Sequence, residues 1–140
     1  MSAIQKLINE LQNEIKSRIA YCKEDSRIAM SIPGVGFTSA ATLLAEIGEI
    51  TDFKKPEQLA AWAGLVPSVY QSAGKLITGN ITKHGSRHIR WILVQVARVI
   101  ARGRNSRLNR FYLRVKAKKG SDVAVVALAR KVLCILHPIY

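Results

Sequence analysis

The chain has 140 residues, 49% of them hydrophobic, which is enough for one domain with a buried core and too apolar for a disordered chain. It contains no apolar run long enough to cross a bilayer, and its first ten residues lack the layout of a signal peptide, so no membrane-spanning or secreted protein is predicted. Its net charge of +13 lies almost wholly after residue 74, where 15 residues are basic and one is acidic, and this predicts a polyanionic partner.

The first predicted element is an amphipathic helix that begins near Ile4. Isoleucines and leucines recur at spacings of three and four as far as Cys22, with Glu and Lys between them, which is close to a heptad seam. Because about three repeats are marginal for an isolated helix, we expect residues 1–28 to form a coiled-coil-like arm that makes the protein a homo-oligomer. Residues 29–140 are the second predicted domain. Cys22 and Cys134 each lie in an apolar helical pattern, which favours two buried thiols over a disulfide.

A glycine-containing turn, PGVG at residues 33–36, follows between two helical patterns. We expect Thr38 or Ser39 to cap the next helix. Glycines and a helix N-terminus together let main-chain N–H groups approach a phosphate. The layout therefore predicts a helix-hairpin-helix motif in which Gly34, Gly36 and Thr38 contact the DNA backbone, with a plain turn between two helices as the alternative.

The middle of the chain combines a short helix with a turn-rich stretch. The helix before it is expected to end at Gly48, and the short helix to start at Pro56 and continue to Gly64. From Ser68 to Lys83 we expect irregular chain or a β-hairpin whose turn lies at Gly79-Asn80.

Three further helices are predicted in the basic half, so the fold is expected to be mainly α. The first begins after a capping Ser86, ends at Gly103 and buries one apolar face, formed by Ile89, Ile92, Leu93, Val96, Val99 and Ile100. Its opposite face carries Arg87, Arg90, Arg98 and Arg102, with Trp91 among them. Trp91 could stack on a base or pack against another helix, and packing is the favoured interpretation.

The second of these helices starts near Ser106 and presents a basic stripe, made of Arg107, Arg110, Arg114 and Lys118. The third starts after a capping Ser121-Asp122, is apolar nearly all round, and is expected to stop at His137-Pro138.

No metal site is predicted. His84 and His88 are four residues apart, a spacing that suits a shared metal, but the lysine and arginines around them would repel a cation. We therefore expect both histidines to contact phosphate, with simple surface placement as the alternative.

Ser72 is the candidate nucleophile. A serine in a glycine-containing loop is usually structural, but a serine that attacks a phosphodiester needs cations around the phosphate oxygens. The predicted phosphate-binding residues that could supply them or let the backbone come close are Gly74, Lys75, Lys83, Arg87 and Arg90, and Arg98 joins the same basic surface.

Three stretches in this order, IPGVGFTSAATLLAEIG, DFKKPEQLAAWAGLVPSVYQSAGK and ITKHGSRHIRWIL, resemble the C-terminal domain of the IS110, IS116 and IS902 insertion-sequence transposases. The resemblance covers roughly Ile32 to Arg102. It implies DNA transposition or recombination in which Ser72 forms a transient 5′-phosphoserine link to DNA, and it places Gly74, Lys75, Lys83, Gly85 and Arg90 at the family's glycine and basic positions. A guide RNA and an oligomeric assembly are further implied partners.

In that family an N-terminal RuvC-like domain supplies the acidic residues that hold divalent metal. The present sequence begins at the arm, so we expect Mg²⁺ only with a separate domain, and we expect a fragment or a truncated gene product that does not complete strand exchange alone. The expected location is the cytoplasm of a bacterium or archaeon, at the nucleoid.

Several other functions stay open at this point. They are a non-catalytic helix-hairpin-helix protein that binds nucleic acid, an inactive transposase remnant, and, from the charge alone, a merely basic soluble protein or one that binds an anionic membrane surface.

Overall fold

The chain is mainly helical, as predicted. The structure, a computed structural model, describes residues 2–18, 23–48, 52–72, 74–104 and 106–139. Within them the elements are α1 (Ala3–Arg18), α2 (Lys23–Met30), α3 (Phe37–Ile47), α4 (Pro56–Trp62), β1 (Pro67–Ser72), β2 (Lys75–Ile81), α5 (Arg87–Arg102), α6 (Arg107–Lys119) and α7 (Ser121–Ile139). None of the helices in these ranges is long and apolar enough to span a membrane.

The core lies between α5 and α7. Leu93 and Val96 of α5 and Leu128 and Leu133 of α7 are all almost completely buried, and each such side chain stabilises the fold by about 1.5–3 kcal/mol relative to an exposed one. α6 packs on both helices, α3 packs on α5, and α4 packs on α7. The apolar face of α5, which its amphipathic pattern creates, therefore forms the centre of the core.

Side-chain caps fix where α5 and α6 begin; the cap at Ser86 and the start of α6 near Ser106 were predicted from the sequence. The Ser86 hydroxyl accepts hydrogen bonds from the main-chain N–H groups of His88 (3.2 Å) and Ile89 (3.4 Å). The Ser106 hydroxyl accepts one from Asn109 (2.9 Å). The buried Asn109 amide in turn donates to the carbonyls of Ile100 and Ala101, at 3.3 and 3.0 Å, so it ties the start of α6 to the end of α5.

Three predictions at helix ends and faces are wrong. Gly36, not Thr38 or Ser39, occupies the N-cap of α3, and no side chain caps that helix. Val99 is 52% exposed, because at 100° per residue it lies at the edge of the apolar face of α5.

The third error concerns α7, which already includes Ser121 and continues past Pro138 to Ile139. Proline removes one main-chain donor, and in the last turn of a helix this loss is too small to end it. The predicted ends of α3 at Gly48 and of α5 at Gly103 are confirmed.

The turn-rich stretch forms an antiparallel hairpin, but its turn is not at Gly79-Asn80. Ser72 pairs with Lys75, so the connection is residues 73 and 74, and Gly74 has a φ of +79°. Between the pairs Val69–Thr78 and Pro67–Ile81, two residues of β2 stand opposite one residue of β1. Gly79 and Asn80 therefore form a β-bulge inside the strand, a position where glycine is common.

Helix α1 buries none of its residues. Its apolar side chains are 38–71% exposed, and they are Ile4, Leu7, Ile8, Leu11 and Ile15. The predicted arm extends through residues that lie outside the described ranges (19–22), so one continuous helix to Cys22 is neither confirmed nor contradicted. A partner helix for this stripe remains a prediction.

Candidate nucleic-acid interface

The loop of residues 83–85, between β2 and α5, is held by main-chain contacts to the end of α4. A Cβ on Gly64 would overlap main-chain atoms of His84, and a Cβ on Gly85 would overlap the carbonyl of Trp62. Both glycines also have positive φ values, +74° and +77°, which favour glycine. The N–H of Lys83 donates to the carbonyl of Gly64 at 3.1 Å. Gly64 and Gly85, twenty-one residues apart in sequence, thus allow two stretches of backbone to touch.

Arg90 fastens the same loop from α5. Its guanidinium donates from Nη1 to the carbonyl of Ala63 (3.2 Å) and to the carbonyl of His84. The side chain is half-buried. Arg90 was predicted to contact phosphate, and the structure shows it positioning the loop, so phosphate contact by its remaining N–H groups stays a prediction.

Lys83 and His84 are exposed on this fixed loop. Lys83 has a φ of +57°, a left-handed conformation that costs a residue with a side chain about 1–2 kcal/mol relative to the right-handed one. Such strain persists only where neighbouring contacts impose it, and it is common at functional sites. Arg87, the first residue of α5, is exposed beside the loop in sequence. We call Lys83, His84 and Arg87 the hairpin base.

Ser72 lies at the other end of the hairpin. Lys75 is its register partner, and a Cβ on Gly74 would meet no atom within 4 Å. We call residues 72–75 the hairpin tip. From Lys75 to Ile81 strand β2 rises about 20 Å, at roughly 3.4 Å per residue. Strand β2 thus lies between Ser72 and the three cations Lys83, Arg87 and Arg90 along the chain, whereas Lys75 pairs with Ser72 directly. That these cations supply positive charge to a phosphate at Ser72 stays a prediction.

The predicted helix-hairpin-helix turn lies beside the C-terminal half of α5. A Cβ on Gly34 would stand 3.1 Å from a side-chain carbon of Ile100 and 3.3 Å from the carbonyl oxygen of Val96, so this glycine lets the turn pack closely on α5. Gly36 and Thr38 are exposed at the start of α3. A Cβ on Gly36 would meet nothing within 4 Å. The phosphate contacts of this turn remain predictions.

The described cations of the basic half form an exposed positive surface. In the described stretch from Lys83 to His137, no lysine or arginine forms an ion pair with Asp or Glu. The predicted stripe on α6 is exposed along its whole length, at Arg107, Arg110, Arg114 and Lys118. Phe111 has two cations over its ring, Arg114 at 5.9 Å and Lys131 at 5.1 Å. Such a surface attracts phosphates through long-range electrostatics.

Trp91 is 62% exposed, so the favoured interpretation that it packs against another helix is wrong for the described part of the chain. It lines a shallow groove with Lys83, Arg90 and Arg98. Trp62, in contrast, is half-buried against Phe53, with ring centroids 5.5 Å apart. The helical period of the sequence already puts Trp91 on the arginine-rich face of α5. That polar face was the sequence signal that Trp91 would be exposed.

The described residues contain no group of three or more His, Cys, Asp or Glu side chains that could hold a metal ion. His84 and His88 are both exposed. Cys134 is a free, half-buried thiol whose Sγ lies 3.9 Å from the carbonyl of Pro56. Burial raises the pKa of this thiol, and the nearby Arg130 offsets part of the rise. Cys22, the other predicted thiol, lies outside the described residues.

Comparison with known proteins places the chain in a family of transposases. The model of the transposase family IS116/IS110/IS902 matches residues 26–113, more than half of the chain. The chain is 35% identical to the transposase for insertion sequence element IS1111A of Coxiella burnetii, over 89% of this chain and 35% of that protein. It is 30% identical to a probable family 20 transposase of Pseudomonas aeruginosa, over 94% of this chain and 39% of that protein.

A third relative is named for inversion rather than transposition. The chain is 30% identical to a pilin gene-inverting protein of Moraxella bovis, over 78% of this chain and 34% of that protein. The chain thus spans a little over a third of the length of these curated relatives.

Proposed function

Because the chain belongs to the IS116/IS110/IS902 transposase family, we propose that it is the DNA-binding, serine-bearing C-terminal part of an insertion-sequence transposase. The observation that carries the proposal is the position of Ser72, which ends β1 beside a two-residue turn, with Lys75 as its partner. A Cβ on Gly74 would meet no atom within 4 Å, and we expect a DNA strand to approach the main chain there.

The proposed step joins the Ser72 oxygen to a DNA phosphorus atom. The bond from that phosphorus to the 3′ oxygen breaks, which leaves a 5′-phosphoserine and a free 3′-hydroxyl. The serine proton passes to a base, and the departing 3′ oxygen takes up a proton, so the step is balanced. Lys75 supplies positive charge beside the serine on the hairpin tip.

The hairpin base would hold the same DNA at a distance from the reacting phosphate. The rise of about 20 Å between tip and base corresponds to about six nucleotides, at roughly 3.4 Å per step along one strand. Contacts at Lys83, His84 and Arg87 would then position the strand rather than react with it. The Mg²⁺ of the family, an acid-bearing RuvC-like domain that holds it, and a guide RNA on the cationic surface remain expectations about the longer protein.

The test is a covalent protein–DNA adduct. The chain, combined with the N-terminal part of a family transposase, is incubated with DNA that carries the element's ends, and adducts are resolved after denaturation. We expect an adduct that Ser72→Ala abolishes and Ser68→Ala, in the same strand, leaves intact. An adduct of undiminished yield in Ser72→Ala would overturn the assignment of the nucleophile.

The distance between tip and base favours a second candidate function, DNA binding without catalysis. Binding then needs only the cationic surface and the turn before α3. Duplex affinity would fall steeply with salt and would be unchanged in Ser72→Ala, whereas Arg87→Glu and Arg98→Glu would weaken binding to all sequences and flatten the salt dependence. Affinity unaltered by both charge reversals would contradict DNA binding at this surface under either function.

We further propose that α1 pairs with α1 of a second copy. Its apolar stripe is exposed along four turns, and contiguous apolar surface of this kind usually marks an interface. Leu7→Glu with Leu11→Glu should convert an oligomer into a monomer in sedimentation experiments, and a native chain that sediments as a monomer would contradict the pairing.

A further inference from the structure

We propose that the groove beside Trp91 binds one unstacked base, with its phosphate, of a single-stranded nucleic acid. This inference rests on the proposed nucleic-acid binding and adds to it a second kind of contact, to a base rather than to the backbone. It concerns a site distinct from the hairpin tip.

The groove lies between the hairpin and one face of α5. Trp91, Val94, Gln95 and Arg98 stand at spacings of three and four, so they line up along that face. The other lining residues come from the hairpin and its flanks and from α5 and α7, and they are Leu65, Ile81, Lys83, Arg90 and Val126. The groove has a volume of about 330 Å³, near the lower limit of small-molecule pockets, roughly 300–1,000 Å³. It can hold one nucleotide-sized group.

The exposed indole provides a stacking surface. With 62% of its surface in water, Trp91 leaves much of its indole uncovered at the edge of the groove. Every base has two flat apolar faces, and stacking on an aromatic side chain contributes about 1–3 kcal/mol per base. The half-buried Val94 and the buried Leu65 supply apolar floor beneath.

The polar side chains of the groove match a nucleotide rather than an apolar peptide. Three of the nine lining residues, Lys83, Arg90 and Arg98, are cations, and none of the nine is acidic. Lys83 and Arg98 are exposed and have no carboxylate partner among the described residues. The half-buried Gln95 adds an amide that can both donate to and accept from a base edge. A nucleotide fits both parts of the groove, because its phosphate can bind the cations and its base can stack on the indole.

The occupant has to be unpaired. In a duplex both faces of a base are covered by its neighbours, so it reaches an aromatic side chain only after it leaves the stack. Single-stranded DNA and single-stranded RNA offer the same chemistry, and the experiment has an arm for each.

The experiment titrates the 140-residue chain with three 12-nucleotide strands: deoxythymidine, uridine, and an abasic strand with the same phosphates. Affinity and tryptophan fluorescence are recorded. We expect the strands with bases to quench fluorescence and to bind at least about five-fold more tightly than the abasic strand. Whichever of the deoxythymidine and uridine strands binds with the higher affinity shows whether the natural strand is DNA or RNA.

Variants of Trp91 separate stacking from charge. Trp91→Ala should abolish the preference for bases over the abasic strand, whereas Trp91→Phe should keep most of it and lose the quenching, since Trp62 is then the remaining reporter. Leu113→Ala, which shortens an exposed apolar side chain on α6, is the matched control and should change neither property.

Equal affinity for intact and abasic strands, or an unchanged preference in Trp91→Ala, would overturn the inference while leaving duplex binding and the proposed function intact. A fluorescence change that follows protein concentration without any strand, and that Trp91→Phe abolishes, would also overturn it, because it would mark a protein contact at Trp91. Loss of all nucleic-acid binding, duplex included, would refute the proposed function itself.

Discussion

The two ends of the hairpin are built in opposite ways. At the base, the main chain of residues 83–85 touches the end of α4, two glycines allow the contact, and Arg90 donates to carbonyls on both sides. At the tip, the position of Gly74 leaves open space where a side chain would be. The base is thus fixed by main-chain packing and presents the exposed cations Lys83 and Arg87, whereas a Cβ at the tip would meet no neighbour. Under the proposed function, the base would bind DNA and the tip would carry the reacting serine.

The largest expected difference between the two ends is the effect of an added methyl group. Gly85→Ala forces a Cβ into the carbonyl of Trp62 at a positive φ, so strain and overpacking together should lower the free energy of unfolding by about 2–5 kcal/mol. Gly74→Ala has the same kind of φ but open space and should cost about 1–2 kcal/mol. Denaturant unfolding measures both. Equal losses at the two glycines would show that the base is no more tightly packed than the tip.

A smaller effect separates two neighbouring arginines at the base. Arg90→Lys keeps the charge but removes Nη1, the nitrogen that donates to both carbonyls, and the ammonium stands on a shorter side chain, so it should cost about 1–2 kcal/mol of unfolding free energy. Arg87→Lys, at an exposed position, should change stability by less than about 0.5 kcal/mol. A tolerated Arg90→Lys would mean that the loop does not depend on the two hydrogen bonds from Nη1.

The smallest effect, with the opposite sign, concerns Lys83. Lys83→Gly removes the strain of a side chain at a φ of +57° and should stabilise the fold by less than about 1 kcal/mol. It should also weaken DNA binding, because it removes one positive charge. Lys83→Ala removes the same charge without the conformational relief, so it should weaken binding equally and give no added stability. Identical unfolding free energies for the two variants would contradict the assigned strain.

Local sequence patterns were sufficient to predict the ends of a helix where the capping residues next to it determine those ends. Ser86 and Gly103 delimit α5, and the spacing of its apolar residues predicts its buried face except for Val99, which lies at the margin of that face. The basic stripe of α6 follows from the same period. These features depend on interactions within about one turn of helix, and the sequence displays such interactions directly.

Long-range contacts explain what the sequence did not show. Gly79-Asn80 is a strong local turn signal, but pairing with β1 uses it as a bulge and puts the turn at the hairpin tip. Sequence spacing also suggested that Lys83, Arg87 and Arg90 could supply cations to Ser72, whereas strand β2, with a rise of about 20 Å, lies between them and Ser72 along the chain. The contact of Gly64 with His84, twenty residues apart, has no local signature at all.

The main-chain hydrogen bonds at the base have a consequence for binding entropy. The N–H of Thr82 donates to Val66 and that of Lys83 donates to Gly64, at 3.0 and 3.1 Å, so the loop that presents Lys83 and His84 is already ordered in the free protein. A strand that docks there does not have to restrict these residues, whose ordering would otherwise cost about 1–2 kcal/mol each. Slow amide hydrogen exchange at Thr82 and Lys83, similar with and without DNA, is the expected signature.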